Sequence, residues 1–225
     1  MSFQSVAIDG PSGAGKSTLA KMVAGALHFL YIDTGAIYRT VGLFAQRNGV
    51  DPHDAAAVTA LLDRIEIRIA HADDGLQHMY LNGEDVTQDI RRHEISGYAS
   101  AVSAIPQVRE FLLEMQRGFA RENSVVMDGR DIGTVVLPDA QVKIFLTAAP
   151  EDRARRRHEE LLQRGQQADY DTVLRDVIQR DHNDSSRDAA PLKAAEGAVL
   201  LDTTGNTLEQ SYELLLNTVK ERLGL

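Results

Sequence analysis

The chain has 225 residues, of which 43% are hydrophobic and 25% charged, the balance of an ordinary globular protein long enough for one well-buried domain. The 33 Asp and Glu residues outnumber the 24 Lys and Arg residues, and the net charge of −9 argues against a nucleic-acid partner, because an acidic surface repels a phosphate backbone. The absence of cysteine excludes disulfides, thiolate metal sites and cysteine nucleophiles.

Hydrophobicity along the chain gives no sign of a membrane or export segment. No apolar run approaches the about 18 residues that a spanning helix needs. The N-terminus lacks a basic region followed by a long apolar stretch. We therefore predict a cytoplasmic protein with no membrane partner, and a single domain without an evident exposed apolar stripe is expected to be a monomer.

Short apolar runs alternate with helical patterns over most of the chain. Strands are predicted at Ser5–Ile8, Phe29–Ile32, Val125–Met127, Val142–Leu146 and Ala198–Leu201. Helices are predicted at about Lys16–Leu27, Gly35–Asn48 and Leu208–Leu223. Strands separated by helices imply a parallel sheet with helices on both faces, so we predict a three-layer α/β/α domain covering residues 1–225.

One segment departs from this alternation. Ile65–Ile69 alternates strictly between apolar and polar residues, Asp73-Asp74-Gly75 predicts a turn, and Leu76–Leu81 leads back to a second turn at Asn82-Gly83. These are hairpin signals, and we predict a small antiparallel insertion over about residues 63–100.

The first predicted strand is followed at once by a glycine-rich loop and a helix. The loop matches G-x-x-x-x-G-K-[ST], in which glycines turn backbone N–H groups toward phosphate oxygens and the helix N-terminus adds positive potential. Lys16 is then expected to reach the β and γ phosphates of ATP, and the Ser17 hydroxyl to sit on Mg²⁺. The predicted ATP-binding residues are Gly10, Pro11, Ser12, Gly13, Ala14, Gly15, Lys16, Ser17 and Thr18.

Phosphate loops occur in motors, GTPases and small-molecule kinases, so the loop alone leaves the class open. A GTPase should carry N-K-x-D to bind guanine, and the sequence has no such run. Asp202-Thr203-Thr204-Gly205 matches the D-x-x-G pattern, but it follows the last predicted strand, and chance explains it better. A GTPase is therefore disfavoured.

Polar residues follow the second predicted strand. Asp33 ends the strand, Thr34 can cap the next helix, and Tyr38 and Arg39 come one turn later. By themselves these residues are equally typical of a capped helix with a surface arginine.

A second polar group follows the strand predicted at Val125–Met127. Asp128 ends that strand, where a carboxylate would hold Mg²⁺ through a water molecule. Arg130 and Asp131 come next and would project beyond the carboxyl edge of the sheet, where doubly wound folds bind their ligands.

Two groups of charged residues lie on predicted helices near the C-terminus. In Arg153-Ala154-Arg155-Arg156-Arg157, the first, fourth and fifth residues share a helical face, whereas Arg155 points elsewhere. Most such runs are solvated, but this one stands in an acidic protein, and we predict a lid over about residues 150–168. Arg180 and Asp184 share a face four residues apart, a spacing that is more often an ordinary ion pair.

Together, these motifs resemble those of bacterial cytidylate kinases over nearly the whole chain. The resemblance rests on Gly10–Thr18, Asp33–Arg39, Gly129–Thr134, Arg153–Arg157, and Arg180-Asp181 with Asp184 and Arg187. It implies the P-loop NTPase fold, with a central parallel sheet, a small antiparallel-β insertion that binds the nucleoside monophosphate, and a helical lid. It also implies ATP with Mg²⁺ as phosphate donor and CMP or dCMP as acceptor.

The resemblance further implies roles for individual residues. Those acting on the transferred phosphoryl group would be Lys16, Arg130, Arg153, Arg157 and Arg187. CMP would be bound by Thr34, Tyr38, Arg39, Ser100, Arg109, Arg130, Asp131, Arg180 and Asp184. Many relatives have Ser at the position of Thr34, and the hydroxyl is retained. Without the resemblance, Ser100 and Arg109 indicate only an ordinary helix surface.

Cytosine presents an N4 donor beside N3 and O2 acceptors, so an acceptor such as Asp131 and a donor such as Arg109 would favour it over uracil. The expected enzyme forms CDP or dCDP and ADP in pyrimidine nucleotide metabolism. Two alternatives remain open: a UMP/CMP-type nucleoside monophosphate kinase, and a catalytically silent nucleotide-binding module.

Overall fold

Five strands form the central sheet in the order β2-β6-β1-β7-β8. The computed structural model describes residues 3–71, 77–163 and 165–225. Strand β1 pairs in parallel with β6 and with β7, and β7 pairs in parallel with β8. The strands are β1 (Ser5–Asp9), β2 (Leu30–Asp33), β6 (Val125–Gly129), β7 (Val142–Thr147) and β8 (Val199–Asp202).

The centre of this sheet is apolar on both faces, as parallel strands covered by helices require. Val6, Ile8 and Val126 are fully buried, and Leu19 of helix α1 and Leu215 of helix α8 pack into the same cluster. The α-helices of the described residues are α1 (Lys16–Leu27), α2 (Thr34–Arg47), α3 (Ala55–Thr59), α4 (His93–Val102), α5 (Pro106–Glu122), α6 (Pro150–Gln163), α7 (Tyr170–Ser186) and α8 (Leu208–Leu223).

The chain divides into two compact units, with boundaries after Tyr31 and after Phe119. The second unit, Ile32–Phe119, is wider than the insertion expected at 63–100 and begins inside β2. Its antiparallel sheet has the order β3-β4-β5 and consists of β3 (Ile67–His71), β4 (Gln77–Leu81) and β5 (Glu84–Asp85).

The predicted turn at Asn82-Gly83 joins β4 to β5. Both residues have positive φ, 50° and 85°, as the two central residues of a type I′ hairpin turn require. The first strand of the sheet begins at Ile67, two residues later than predicted. The turn predicted at Asp73-Asp74-Gly75, and Leu76 after it, lie outside the described residues.

Helix α2 of the second unit begins one residue earlier than predicted. Asp33, not Thr34, is the N-cap, and its carboxylate accepts a hydrogen bond from the Ala36 backbone N–H. Thr34 is the first helical residue, because an aspartate in extended conformation already supplies the cap. Helix α4 packs closely on α2 at Gly42, where an added Cβ would lie 3.0 Å from the Ala99 nitrogen.

In the first unit, β6 leads into a one-turn π-helix, Ile132–Val136. Helices α6 and α7 pack through a small apolar cluster of Ala154, Leu161, Val173 and Val177. The parallel sheet, its flanking helices and the separate antiparallel sheet confirm the predicted fold class. Within the ranges that the structure describes, none of the helices combines the length and the apolar character that crossing a bilayer demands.

Candidate active site

The phosphate loop connects β1 to α1 in a conformation that glycine permits. Gly10 has φ 151°, and a Cβ there would lie 1.9 Å from the carbonyl oxygen of Leu146. Gly15 has φ 83° and forms the N-cap of α1 in the left-handed region. The loop therefore ends at a helix N-terminus, where backbone N–H groups are available to an anion.

Lys16 is buried in the first turn of α1. Its Nζ donates a hydrogen bond of 2.7 Å to the carbonyl oxygen of Pro11. Burial, and then the positive charge of Arg130, hold the pKa of Lys16 well below its usual range. The positive charges here are thus crowded and poorly solvated, an environment that a polyanionic phosphate group would relieve.

Ser17 lies next to the carboxylate expected to serve a metal ion. Its Oγ donates to Oδ2 of Asp128 at 2.9 Å, and the Tyr31 hydroxyl donates to Oδ1 at 2.8 Å. A hydroxyl and a carboxylate are hard oxygen ligands, and Mg²⁺ is commonly bound by one or two such groups together with phosphates and water. The residues present therefore fit Mg²⁺. Tyr31 could not be predicted from the sequence, because no local pattern connects it with a carboxylate 97 positions away.

Asp9 is a buried carboxylate with no role predicted from the sequence. It ends β1 directly before Gly10, and its two oxygens accept the backbone N–H groups of Ile132 and Gly133 at 2.7 and 2.8 Å. Burial raises the pKa of Asp9 to about 6, although these two hydrogen bonds lower it. Asp9 thereby connects the start of the phosphate loop to the segment after Asp131. The sequence signal that could have indicated Asp9 is a single acidic residue at the end of an otherwise apolar strand.

Asp184 is buried and forms an ion pair with the partly buried Arg130. The Nε of Arg130 donates to Oδ2 of Asp184 at 2.8 Å. Burial opposes the charge on both groups, but for Asp184 the charges of Arg130, Arg180 and Arg187 together hold the pKa below its usual value. Asp184 therefore pairs with a residue of another element rather than only within α7.

Arg187 follows α7 and is buried beside Asp131. Its terminal nitrogen lies 4.0 Å from Oδ1 of Asp131, and its Nε donates to the carbonyl oxygen of Ala190. The structure thus brings Asp131 and Arg187 together, and it connects Asp184 to Arg130, the residue before Asp131.

The arginines of α6 differ in their surroundings. Arg153 is buried and its guanidinium donates to the carbonyl oxygens of Ala148 and Ser12 and to the carboxylate of Asp181. Arg157 is half-buried and pairs with Glu160, while Arg155 is exposed, as its helical position predicted. The lid over 150–168 and the phosphate contacts of Arg153 and Arg157 stay predictions.

In the second unit, Asp33 orients Arg39. One Asp33 oxygen caps α2 and the other accepts from the Arg39 guanidinium at 2.7 Å. The Gln77 side chain bonds both the N–H and the carbonyl of Asp33. Among the described residues, the buried Nε of Arg39 has no hydrogen-bond acceptor. Gln77 was missed because its role depends on the pairing of β4, 44 residues later.

Arg109 and Tyr38 also meet in the second unit. The guanidinium carbon of Arg109 lies 5.5 Å from the centre of the Tyr38 ring, and its NH1 donates to the carbonyl of Ser103 at 2.9 Å. The Ser100 carbonyl accepts from the Ser103 hydroxyl. Ser103, between α4 and α5, therefore contacts both the Arg109 side chain and the Ser100 backbone, and the cytosine contacts of Ser100 and Arg109 stay predictions.

The predicted site residues thus fall into two groups. The first unit holds a connected set around the phosphate loop: Lys16, Ser17, Asp128, Arg130, Asp131, Arg153, Arg180, Asp184 and Arg187. The second unit holds Thr34, Tyr38, Arg39, Ser100 and Arg109. The phosphate loop after β1 and its Ser17–Asp128 contact define a P-loop nucleotide-binding protein.

Comparisons with known proteins narrow this class. The family model "Cytidylate kinase" matches residues 6–221. The cytidylate kinase of Citrifermentans bemidjiense is 50% identical over 97% of this chain and 93% of its own, and that of Caldicellulosiruptor bescii is 49% identical over 94% and 93%. The chain belongs to the cytidylate kinase family, which confirms the resemblance seen in its motifs.

A solved structure supports the fold. An uncharacterized protein from Eubacterium ventriosum superposes with a TM-score of 0.54 over 97% of this chain and 98% of its own, at 13% sequence identity. At this identity the likeness concerns the fold alone.

Proposed function

We propose that this chain transfers the γ-phosphoryl group of ATP to CMP or dCMP, giving ADP with CDP or dCDP. The observation that carries the proposal is a phosphate loop whose lysine is buried beside Arg130, with Ser17 bonded to Asp128 at 2.9 Å. Membership of the cytidylate kinase family supports the same chemistry and the choice of acceptor.

Phosphoryl transfer asks the protein mainly for positioning and for cationic groups around the phosphates. Lys16, Arg130, Arg157 and Arg187 supply the positive charge, with the amides of the phosphate loop. Ser17, and Asp128 through a water molecule, would hold Mg²⁺, which when bound neutralises charge on the β and γ phosphates. The acceptor phosphate is already anionic near neutral pH, so no general base is assigned.

The remaining residues would recognise the acceptor. Thr34 and Arg39 would bind its phosphate together with Arg130, with Tyr38 beside them. Among the described residues the buried Nε of Arg39 has no acceptor, which supports this role because an arginine fork suits phosphate oxygens. Arg180 and Asp184 are assigned to the ribose. These assignments, a cytoplasmic location and a monomeric state belong to the proposal.

Cytosine recognition is proposed for Ser100, Arg109 and Asp131. Asp131 is buried, and a buried acceptor that meets the wrong edge of a base costs about 1–3 kcal/mol for each mismatched group. Uracil differs from cytosine at two of its three polar edge atoms, which predicts a clear preference for CMP and dCMP over UMP.

A panel of acceptors in an ADP-release assay tests the proposal. We expect turnover with CMP and dCMP to exceed that with UMP and AMP by at least tenfold. ADP release that no acceptor stimulates would indicate a silent module, and equal UMP turnover would indicate a UMP/CMP-type kinase. The Asp131→Ala variant should reduce the CMP-over-UMP ratio; an unchanged ratio would remove Asp131 from the base contact.

A further inference from the structure

The Arg153 guanidinium is buried and already hydrogen-bonded to three other residues of the protein. Its side chain is 4% exposed. The Nε donates to the Ala148 carbonyl at 2.8 Å, one terminal nitrogen to the Ser12 carbonyl at 3.0 Å, and both terminal nitrogens to the two oxygens of Asp181 at 3.0 and 2.5 Å. Four of the five N–H donors of the guanidinium are thus engaged within the protein.

The contact with Ser12 bears directly on the phosphate loop. In a trans peptide the C=O and the following N–H point in opposite directions, so fixing the Ser12 carbonyl also fixes the N–H of Gly13. The backbone of Gly13 lies against α6, where an added Cβ would be 3.2 Å from the Cβ of Arg153. Arg153 therefore sets the orientation of one of the amides that this loop presents to phosphate.

Asp181 connects the same contact to α7. It lies one turn before Asp184, and Asp184 is the partner of Arg130, the residue that follows β6. A continuous path of hydrogen bonds and helix backbone thus runs from the Ser12 carbonyl through Arg153 and Asp181 to Arg130.

We propose that Arg153 and Asp181 form a positioning pair that fixes the phosphate loop against α7, and that Arg153 acts on the reaction through Ser12 and Gly13 without touching the transferred group. This inference rests on the proposed function only for the effect of the pair on turnover. The effect of the pair on ATP binding does not depend on which acceptor is used. The phosphate contact expected for Arg153 from the sequence is the competing role.

The two roles differ in what Asp181 should do. If Arg153 touches the phosphates, Asp181 restrains it, and Asp181→Asn should leave ATP affinity and kcat unchanged or higher. If the pair positions the loop, Asp181→Asn should cause the same loss as Arg153→Lys, which keeps the charge but cannot make the four contacts. Because both changes break the same pair, the double variant should lose no more ATP affinity or kcat than either single variant.

The test measures ATP affinity without acceptor, then kcat and KM for ATP and CMP, in Arg153→Lys, Asp181→Asn and the double variant. We expect ATP affinity and kcat to fall at least tenfold in all three, with the KM for CMP changed less than about twofold. Arg155→Lys, on the exposed side of the same helix turn, is the matched control and should equal wild type.

Thermal unfolding of each variant shows that the measured enzyme is folded. If Asp181→Asn fails to fold, Asp181→Glu replaces it, because a carboxylate displaced by one methylene group keeps the charge and disturbs the geometry. Wild-type ATP affinity and kcat in the Asp181 variant, or losses that multiply in the double variant, would overturn the positioning role. If no acceptor stimulates ADP release by the wild type but these variants still bind ATP more weakly, the proposed function is rejected and the positioning role of Arg153 and Asp181 is supported.

Discussion

The two units present their charged site residues in different ways. In the first unit, Arg153 and Arg187 are 4% and 6% exposed, and each lies beside a carboxylate. In the second unit, Arg39 is 26% exposed and its partner Asp33 21% exposed. Arg153 and Arg187 have therefore lost most of their hydration before any ligand arrives, whereas water and salt still partly screen the pair of Arg39 and Asp33.

This difference predicts where substitutions act. Removing one member of a buried pair leaves the other charge uncompensated, which disturbs both the fold and the geometry of the site. Removing one member of a half-exposed pair costs little stability, because solvent replaces the lost partner. The first unit should thus behave as a preorganised phosphate site, and the second as an adaptable one.

Lys16→Met should have the largest effect and separate activity from stability. We expect kcat to fall about 10³-fold, because the cation proposed to bind the phosphates is lost. Burial lowers the pKa of Lys16, so the charged form is unfavourable in the fold and a neutral side chain of similar length should leave the melting temperature equal or higher.

The exposed Lys21 of the same helix supplies the control for this prediction. Lys21→Met should keep wild-type turnover. A Lys16→Met enzyme that keeps even a tenth of wild-type kcat would show that the loop lysine is not needed for the transfer.

Two isosteric substitutions compare the ion pairs directly. Asp184→Asn removes the charge of a carboxylate that is 6% exposed and leaves Arg130 without it, which should lower the free energy of unfolding by about 3 kcal/mol at pH 7. Asp33→Asn breaks the pair with Arg39 but keeps an N-cap, since asparagine caps as well as aspartate, and should cost less than about 1 kcal/mol. Urea denaturation of the two variants measures both values.

The pH dependence adds a second check on Asp184. Its pKa is lowered in the folded state, so its contribution is present above the unfolded value near 4 and is lost as the pH falls below it. The difference between wild type and Asp184→Asn should therefore shrink below about pH 4. Equal costs for Asp184→Asn and Asp33→Asn at pH 7 would remove the distinction between the two units.

The sequence predicts local features well and long-range partners poorly. The bounds of α1 and α8 agree with the structure, because helix periodicity and the glycines beside both helices are local signals. The shift of the α2 cap to Asp33 arose because two neighbouring residue types can both cap a helix.

Hydrogen-bond partners that are distant in sequence leave no local pattern from which they could be predicted. Nothing near Arg130 indicates Asp184, 54 residues away, and nothing near Arg153 indicates the Ser12 carbonyl, 141 residues away. The motifs therefore give candidate residues, whereas only the fold shows which groups hold an arginine in place.

Asp9→Asn should change how stability depends on pH, with a sign opposite to that of the second unit's carboxylates. Burial raises the pKa of Asp9 to about 6, with Asp131 adding to and Lys16 opposing that effect. Between about pH 4 and 6 the folded state binds a proton that the unfolded state has released, so this contribution to stability is lost as the pH rises. Relative to Asp9→Asn, wild type should lose up to about 3 kcal/mol over this range.

Glu84 of the second unit provides the opposite case for the same measurement. The hydrogen bond from Arg47 lowers the pKa of Glu84, so its contribution is lost as the pH falls. Denaturation at pH 4, 5, 6 and 7 should therefore show the wild-type advantage over Glu84→Gln shrinking toward acid, and the wild-type advantage over Asp9→Asn growing toward acid. Parallel curves for wild type and Asp9→Asn would mean that Asp9 is charged in the fold throughout, and its two backbone hydrogen bonds would then outweigh its burial.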